Sequence, residues 1–166
     1  MTLPNLKYFL TGKLTQKQLE KVRNAFDIIG DIAILEIAKE LETKKKVIAA
    51  AVMQMHKNVK AVYVERGGRS GKLRLQKLQW LAGDKRTVTT AVENGVRISV
   101  DVAKVYFSPR MASERKRIYT QVKKGEDVLV MFSGAAPYVI EIAKHTKAKS
   151  AVGVELNSAA YKFASK

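Results

Sequence analysis

The sequence predicts an α/β protein: a small α+β domain followed by the opening βαβ of a doubly wound parallel sheet. Three observations carry that expectation. Helical and extended patterns alternate through roughly the first hundred residues. A Ser-Pro pair at Ser108 and Pro109 then marks a new helix. Beyond it, "DVLVMFSGAAPYVIEIAKHTKAKSAVGVELN" reads strand, small-residue loop, helix, strand, the order of a parallel βαβ unit.

In order, "LTQKQLEKVRNAF" reads as a first helix, capped by Thr15 with Gln18 in capping-box register and Leu19, Val22 and Phe26 at helical spacing. The β-branched stretch around Gly30 predicts a turn and a buried strand from about Asp31 to Ile37. "TKKKVIAAAVMQMHKN" is a second helix, with Val47, Ile48, Ala51, Val52 and Met55 on one face. "VKAVYVER" is a strand and "GGRSG" a loop; "KLRLQKLQWLAG" and "RTVTTAV" are extended, and "ENG" is a hairpin turn before "VRISVDVAKVYF". Residues 1–107 thus form an α+β domain dominated by antiparallel strands, 108–124 a connecting helix, and 125–166 the start of the parallel sheet. Two parallel strands leave an exposed edge and a half-covered core, so a further segment or a partner chain is expected to complete the sheet.

Lys and Arg total 31 against 15 Asp and Glu, a formal charge of +16. That excess bears on partners and points to a polyanion, nucleic acid before acidic lipid. No cysteine is present, which excludes disulfides and thiolate chemistry, and the two histidines, His56 and His145, lie far apart, which argues against a metal centre. No apolar run is long enough to span a bilayer and no basic-then-apolar leader opens the chain, as expected of a soluble cytoplasmic protein with no membrane association.

Two constellations are candidates for chemistry. In the βαβ unit, the "FSGAAP" loop falls at the carboxyl edge of the sheet, where Gly134 admits a ligand to the backbone and Glu155 closes the second strand with a carboxylate suited to two ribose hydroxyls. A tight turn and an exposed Glu explain the same pattern. In "KVYFSPRMASERKRIY", Arg110 and Glu114 stand four apart on one helical face. They are either a surface ion pair or an acid/base residue held where a polyanion docks. The extended stretch adds Arg74, Lys77, Lys85 and Arg86, a solvated face or a phosphate track, with Trp80 as a base-stacking or core residue.

"FDIIGDIAILEI", "LAGDKRTVTTAVENGVRISVDVAKVYFSPRMASER" and "GEDVLVMFSGAAPYVIEIAK" resemble the archaeal and eukaryotic-type tRNA guanine-37 N1-methyltransferases. The resemblance implies a small substrate-binding domain joined to a Rossmann-like methyltransferase sheet, with tRNA as partner and S-adenosylmethionine as cofactor. Carried over by position, Glu114 is the proposed general base, and Arg74 and Arg110 complete the catalytic set. The cofactor would be held by Phe107, Met131, Phe132, Gly134, Pro137, Glu155, Leu156 and Asn157, and RNA by Arg115, Lys85 and Arg86. Guanine N1 is a poor nucleophile until its proton leaves; a carboxylate can take that proton while an arginine holds the charge developing on O6.

The sequence departs from the family in the cofactor loop, where Val130 replaces an acid and Ala136 a glycine. A catalytic Asn in a later Asn-Pro-Pro-like motif has no counterpart, so the resemblance implies a C-terminally truncated enzyme or one completed by a second polypeptide. Aminocarboxypropyl transfer to a tRNA base and a non-catalytic tRNA-binding module are the alternatives.

Overall fold

The computed structural model describes residues 5–165, apart from the side chains of Arg69 and Ser70. The chain divides into two compact units. The first holds the residues up to Gly68 together with Gln76–Thr87, and the second holds Arg69–Leu75 together with Val88 onward.

In the first unit, α1 (Leu6–Leu10) and α2 (Gln16–Lys21) precede β1 (Asp27–Ile29) and β2 (Ile32–Leu35), then a 3-10 turn (Lys39–Lys44), α3 (Lys45–Met55), β3 (Ala61–Ser70) and β4 (Leu75–Gly83). The expected capping box is present. Thr15 Oγ1 accepts from Gln18 N and Gln18 Oε1 accepts from Thr15 N. The helix is shorter than the periodicity predicts, because Val22 turns extended. Gly30, at φ 58°, makes the expected turn, and all four residues of β2 are buried.

The sheet order is β1-β2-β3-β4. β2 pairs antiparallel with β1 but parallel with β3, because the 3-10 turn and α3 form a crossover between them. The expected dominance of antiparallel strands therefore fails at β2–β3. β3 also runs through Gly67 and Gly68, where a loop was expected. The core gathers Leu6, Leu10, Leu41, Ile48, Val52, Val62 and Leu81 from the helices and one sheet face. Full burial of each large aliphatic side chain stabilises by roughly 1.5–3 kcal/mol.

In the second unit, β5 (Val88–Glu93) and β6 (Val96–Asp101) form a hairpin. Glu93 pairs with Val96, and Asn94 and Gly95, at φ 45° and 77°, fill a two-residue turn of the type that needs positive φ at both positions. A 3-10 turn (Pro109–Met111) leads into α4 (Ala112–Tyr119). Ser108 makes no side-chain cap; its carbonyl instead accepts from Met111 N. β7 (Asp127–Met131), α5 (Pro137–His145) and β8 (Ser150–Val154) form the parallel βαβ, followed by α6 (Ser158–Ala164). The expected division near residue 107 differs from the compact units. The β5–β6 hairpin groups with α4 and α5, so the break falls after Thr87. Among the described residues no helix is long and apolar enough to cross a membrane.

Candidate active site

The carboxyl ends of β7 and β8 bring two expected groups together. β7 ends at Met131, and the chain turns through Phe132 at φ 56°. Ser133 N then donates to the Val154 carbonyl at 3.0 Å, laying the loop against β8. Gly153 permits this approach, since a Cβ there would stand 2.7 Å from Ser133 Oγ. Gly134 N donates to Glu155 Oε2 at 2.6 Å, and Asn157 N donates to Glu155 Oε1 at 2.7 Å. Two backbone donors thus fix the carboxylate and leave it further lone pairs for a ligand's hydroxyls. Phe132 and Leu156, which follow the two strands, are 84% and 76% exposed and offer apolar surface beside it. A fixed carboxylate, a glycine without Cβ and flanking apolar side chains fit an adenosine-type ligand. Pro137 opens α5, with Ala136 before it at φ 60°. An alanine there carries strain of about 1–2 kcal/mol that glycine would not. Asn157 serves structure: its Nδ2 donates to the Lys104 carbonyl at 2.7 Å and its Oδ1 caps Ala159 N.

Glu114 lies in the first turn of α4, where the helix dipole favours a carboxylate. Arg117 is its ion-pair partner. Arg117 Nε and Nη2 each donate to it at 2.7 Å, three residues on. That fork holds the Glu114 carboxyl below its ordinary range. Arg110 is exposed, as is Arg74, whose guanidinium sits 5.8 Å from the Tyr106 ring centroid. Arg74 has φ 51°.

One of the expected RNA contacts is corrected. Arg115 is only 3% exposed. Its Nε lies 2.5 Å from Glu93 Oε1 and 3.6 Å from Glu141 Oε1, and its Nη2 donates to Glu93 Oε2 at 2.6 Å and to the Ser108 carbonyl at 3.0 Å. The guanidinium also stands over Phe107, at 5.2 Å, and Tyr138, at 5.9 Å. A phosphate cannot reach it. Phe107 is buried, with the Arg115 guanidinium over its ring. Arg86 is held by Asp31, with Nη1–Oδ1 at 3.0 Å and a second bond from Nη2 to Oδ2. Lys85 is exposed, and Trp80 on β4 is exposed as well.

Sequence reasoning missed the buried cluster itself. Two carboxylates, Glu93 and Glu141, surround one guanidinium. Burial pushes the Glu141 carboxyl up, with Glu93 reinforcing the shift and a hydrogen bond from Asn94 opposing it. Burial also pushes the Tyr138 hydroxyl up. The signal available was Glu141 on the apolar helix "PYVIEIAKH", a charge where none belongs without a partner.

Comparison with known proteins agrees with this division. Residues 89–166 match the TRM5/TYW2 methyltransferase domain and residues 6–87 the TYW2 N-terminal domain. The chain belongs to the TRM5/TYW2 family. It is 45% identical over 139 residues to the tRNA (guanine(37)-N(1))-methyltransferase Trm5b of Pyrococcus abyssi, covering 84% of this chain and 42% of that protein. A solved complex of aTrm5 with tRNALeu superposes with a TM-score of 0.87 at 32% identity, covering 99% of this chain and 49% of that one. TYW2 of P. horikoshii, solved with MeSAdo, gives a TM-score of 0.71 at 31% identity over 95% of this chain and 55% of that one. The chain spans about half the length of the curated relatives it matches.

Proposed function

We propose that the protein containing this chain transfers a methyl group from S-adenosylmethionine to N1 of the guanine next to the tRNA anticodon, in the cytoplasm. The observation that carries this reading is Glu155, fixed at the sheet's carboxyl edge by Gly134 N, in a chain 45% identical to a named guanine-37 methyltransferase. When bound, S-adenosylmethionine supplies a methyl group on a positively charged sulfur. Glu155 would hold the cofactor's ribose hydroxyls, and Met131, Phe132, Gly134, Pro137 and Leu156 would line the site beside it. Glu114 accepts the N1 proton as the new N–C bond forms, ending as a neutral carboxylic acid. To do so it must release Arg117, which a base in a screened, partly exposed pair can do. Arg74, with Arg110, holds the charge passing to O6. Lys85 remains a candidate phosphate contact.

The match of residues 6–87 to the TYW2 N-terminal domain, with 32% identity over 160 residues to a P. horikoshii protein named tRNA(Phe) (4-demethylwyosine(37)-C(7)) aminocarboxypropyltransferase, favours a second reading, aminocarboxypropyl transfer from the same cofactor. One experiment separates them. The whole protein is incubated with unmodified tRNA and S-adenosylmethionine, and the modified nucleoside is weighed. A gain of one methyl on guanosine is expected; an aminocarboxypropyl adduct, or no adduct, contradicts the methyl-transfer reading.

A further inference from the structure

We infer that Asn94 is a positioning residue for the proposed base, fixing the first turn of α4, and with it Glu114, to the β5–β6 turn and to α5. The inference rests on the reading of Glu114 as base. Three bonds converge on Asn94. Its side-chain nitrogen donates to the Ala112 carbonyl at 2.9 Å, two residues before Glu114. The same nitrogen donates to Glu141 Oε2 at 2.9 Å, on α5. Its carbonyl lies 2.6 Å from His145 Nε2, and since a carbonyl only accepts, that ring nitrogen carries the proton. His145 in turn stacks on Tyr119 of α4, with centroids 4.7 Å apart. The residue before, Glu93, grips Arg115, directly after Glu114. The chain on both sides of Glu114 is therefore tied to consecutive residues of one tight turn.

The backbone of that turn alone does not require this residue. Asn, Asp and Gly all suit a positive φ at the first turn position, but of the three only Asn donates from its side chain. Neither α4 nor the preceding 3-10 turn has a side-chain N-cap of its own, and the bond from Asn94 to the Ala112 carbonyl anchors that end of α4 to the hairpin turn. Asn94 supplies that anchor and links the helix bearing Glu114 to the helix that follows the Ser133–Ala136 loop. Proton transfer requires the carboxylate within hydrogen-bond reach of N1, so a small displacement of α4 is felt in the rate.

The test is a double-mutant cycle of Asn94→Gly and Glu114→Gln in the whole protein, read as single-turnover methylation at saturating tRNA and cofactor. Glycine keeps the positive φ and removes both donors. Asn94→Gly should slow the reaction roughly 10- to 100-fold with tRNA and cofactor affinity unchanged, and higher pH should recover part of the loss. In the Glu114→Gln background it should add almost nothing. A wild-type rate for Asn94→Gly beside a slow Glu114→Gln would overturn the inference alone, as would losses that multiply in the double variant. A wild-type rate for Glu114→Gln would remove the base reading and this inference with it. If Asn94→Gly does not fold, Asn94→Ala, which also removes both donors and adds no charge beside Glu141, replaces it in the same cycle and is judged by the same outcomes.

Discussion

Glu114 and Arg115 are consecutive on α4, yet they sit in opposite environments. Glu114 meets Arg117 at the surface, where water screens the pair and either partner can be exchanged for another. Arg115 is sealed between Glu93 and Glu141, whose side chains are 8% and 0% exposed. There no water replaces a lost partner. The difference separates two roles within one motif: a carboxylate free to change partner is available for chemistry, and a guanidinium that cannot is an anchor.

The largest effect should come from breaking the buried side. Arg115→Met leaves two buried carboxylates facing each other and should destabilise by about 3–5 kcal/mol, measured by urea unfolding. Replacing Glu93 and Glu141 by apolar residues in the same variant should recover most of that loss. A small effect of Arg115→Met alone would mean that water reaches the cluster.

The pH dependence of stability sharpens the contrast. The Glu141 carboxyl is pushed up by burial, so its contribution is full below the ordinary carboxylate range and is lost as pH rises through the raised value. Glu114 is held down by Arg117, so its contribution is present above the ordinary range and is lost as pH falls through the lowered value. Glu141→Gln should therefore gain stability relative to the parent as pH rises, and Glu114→Gln should lose it. Melting curves across pH 3 to 8, roughly the window around the ordinary carboxylate range, check both signs.

Ala136, just before α5, offers a smaller and independent change. Its left-handed backbone should relax on Ala136→Gly, stabilising the protein by about 1 kcal/mol and leaving the buried cluster untouched. The smallest stability effect belongs to Arg117→Ala, which should lower the melting temperature only slightly, in the same direction as Glu114→Gln. It should instead move the acid limb of the methylation rate upward, toward the ordinary carboxylate range, because the fork no longer holds Glu114 down. An unmoved limb would mean that another group sets it.

Much of the fold was legible because it follows from local chemistry. The Thr15–Gln18 capping box, the turn at Gly30, the Asn94–Gly95 hairpin and the limits of α5 are written in adjacent residues. The meeting of Gly134 with Glu155 was also readable, since parallel strands place both at one edge. Partner choice at a distance was not. Arg115 reads as one more base in "ERKR", and only the packing of the hairpin against α4 and α5 makes it an anchor. The pairing of Arg86 with Asp31, 55 residues away, was likewise not readable from adjacent residues. The parallel pairing of β2 and β3 was missed because the crossover helix was read without its topological consequence.

The central claim is that Glu114 removes the guanine N1 proton, and its most direct test is the single-turnover rate of Glu114→Gln against pH. The amide keeps the shape, so tRNA and cofactor affinity should hold. The methylation rate should fall roughly 10²–10⁴-fold near neutral pH, the usual range for a lost general base, and recover partly as pH rises and solvent takes the proton. A wild-type rate with a wild-type pH profile would contradict the claim and leave Glu114 as a surface partner of Arg117.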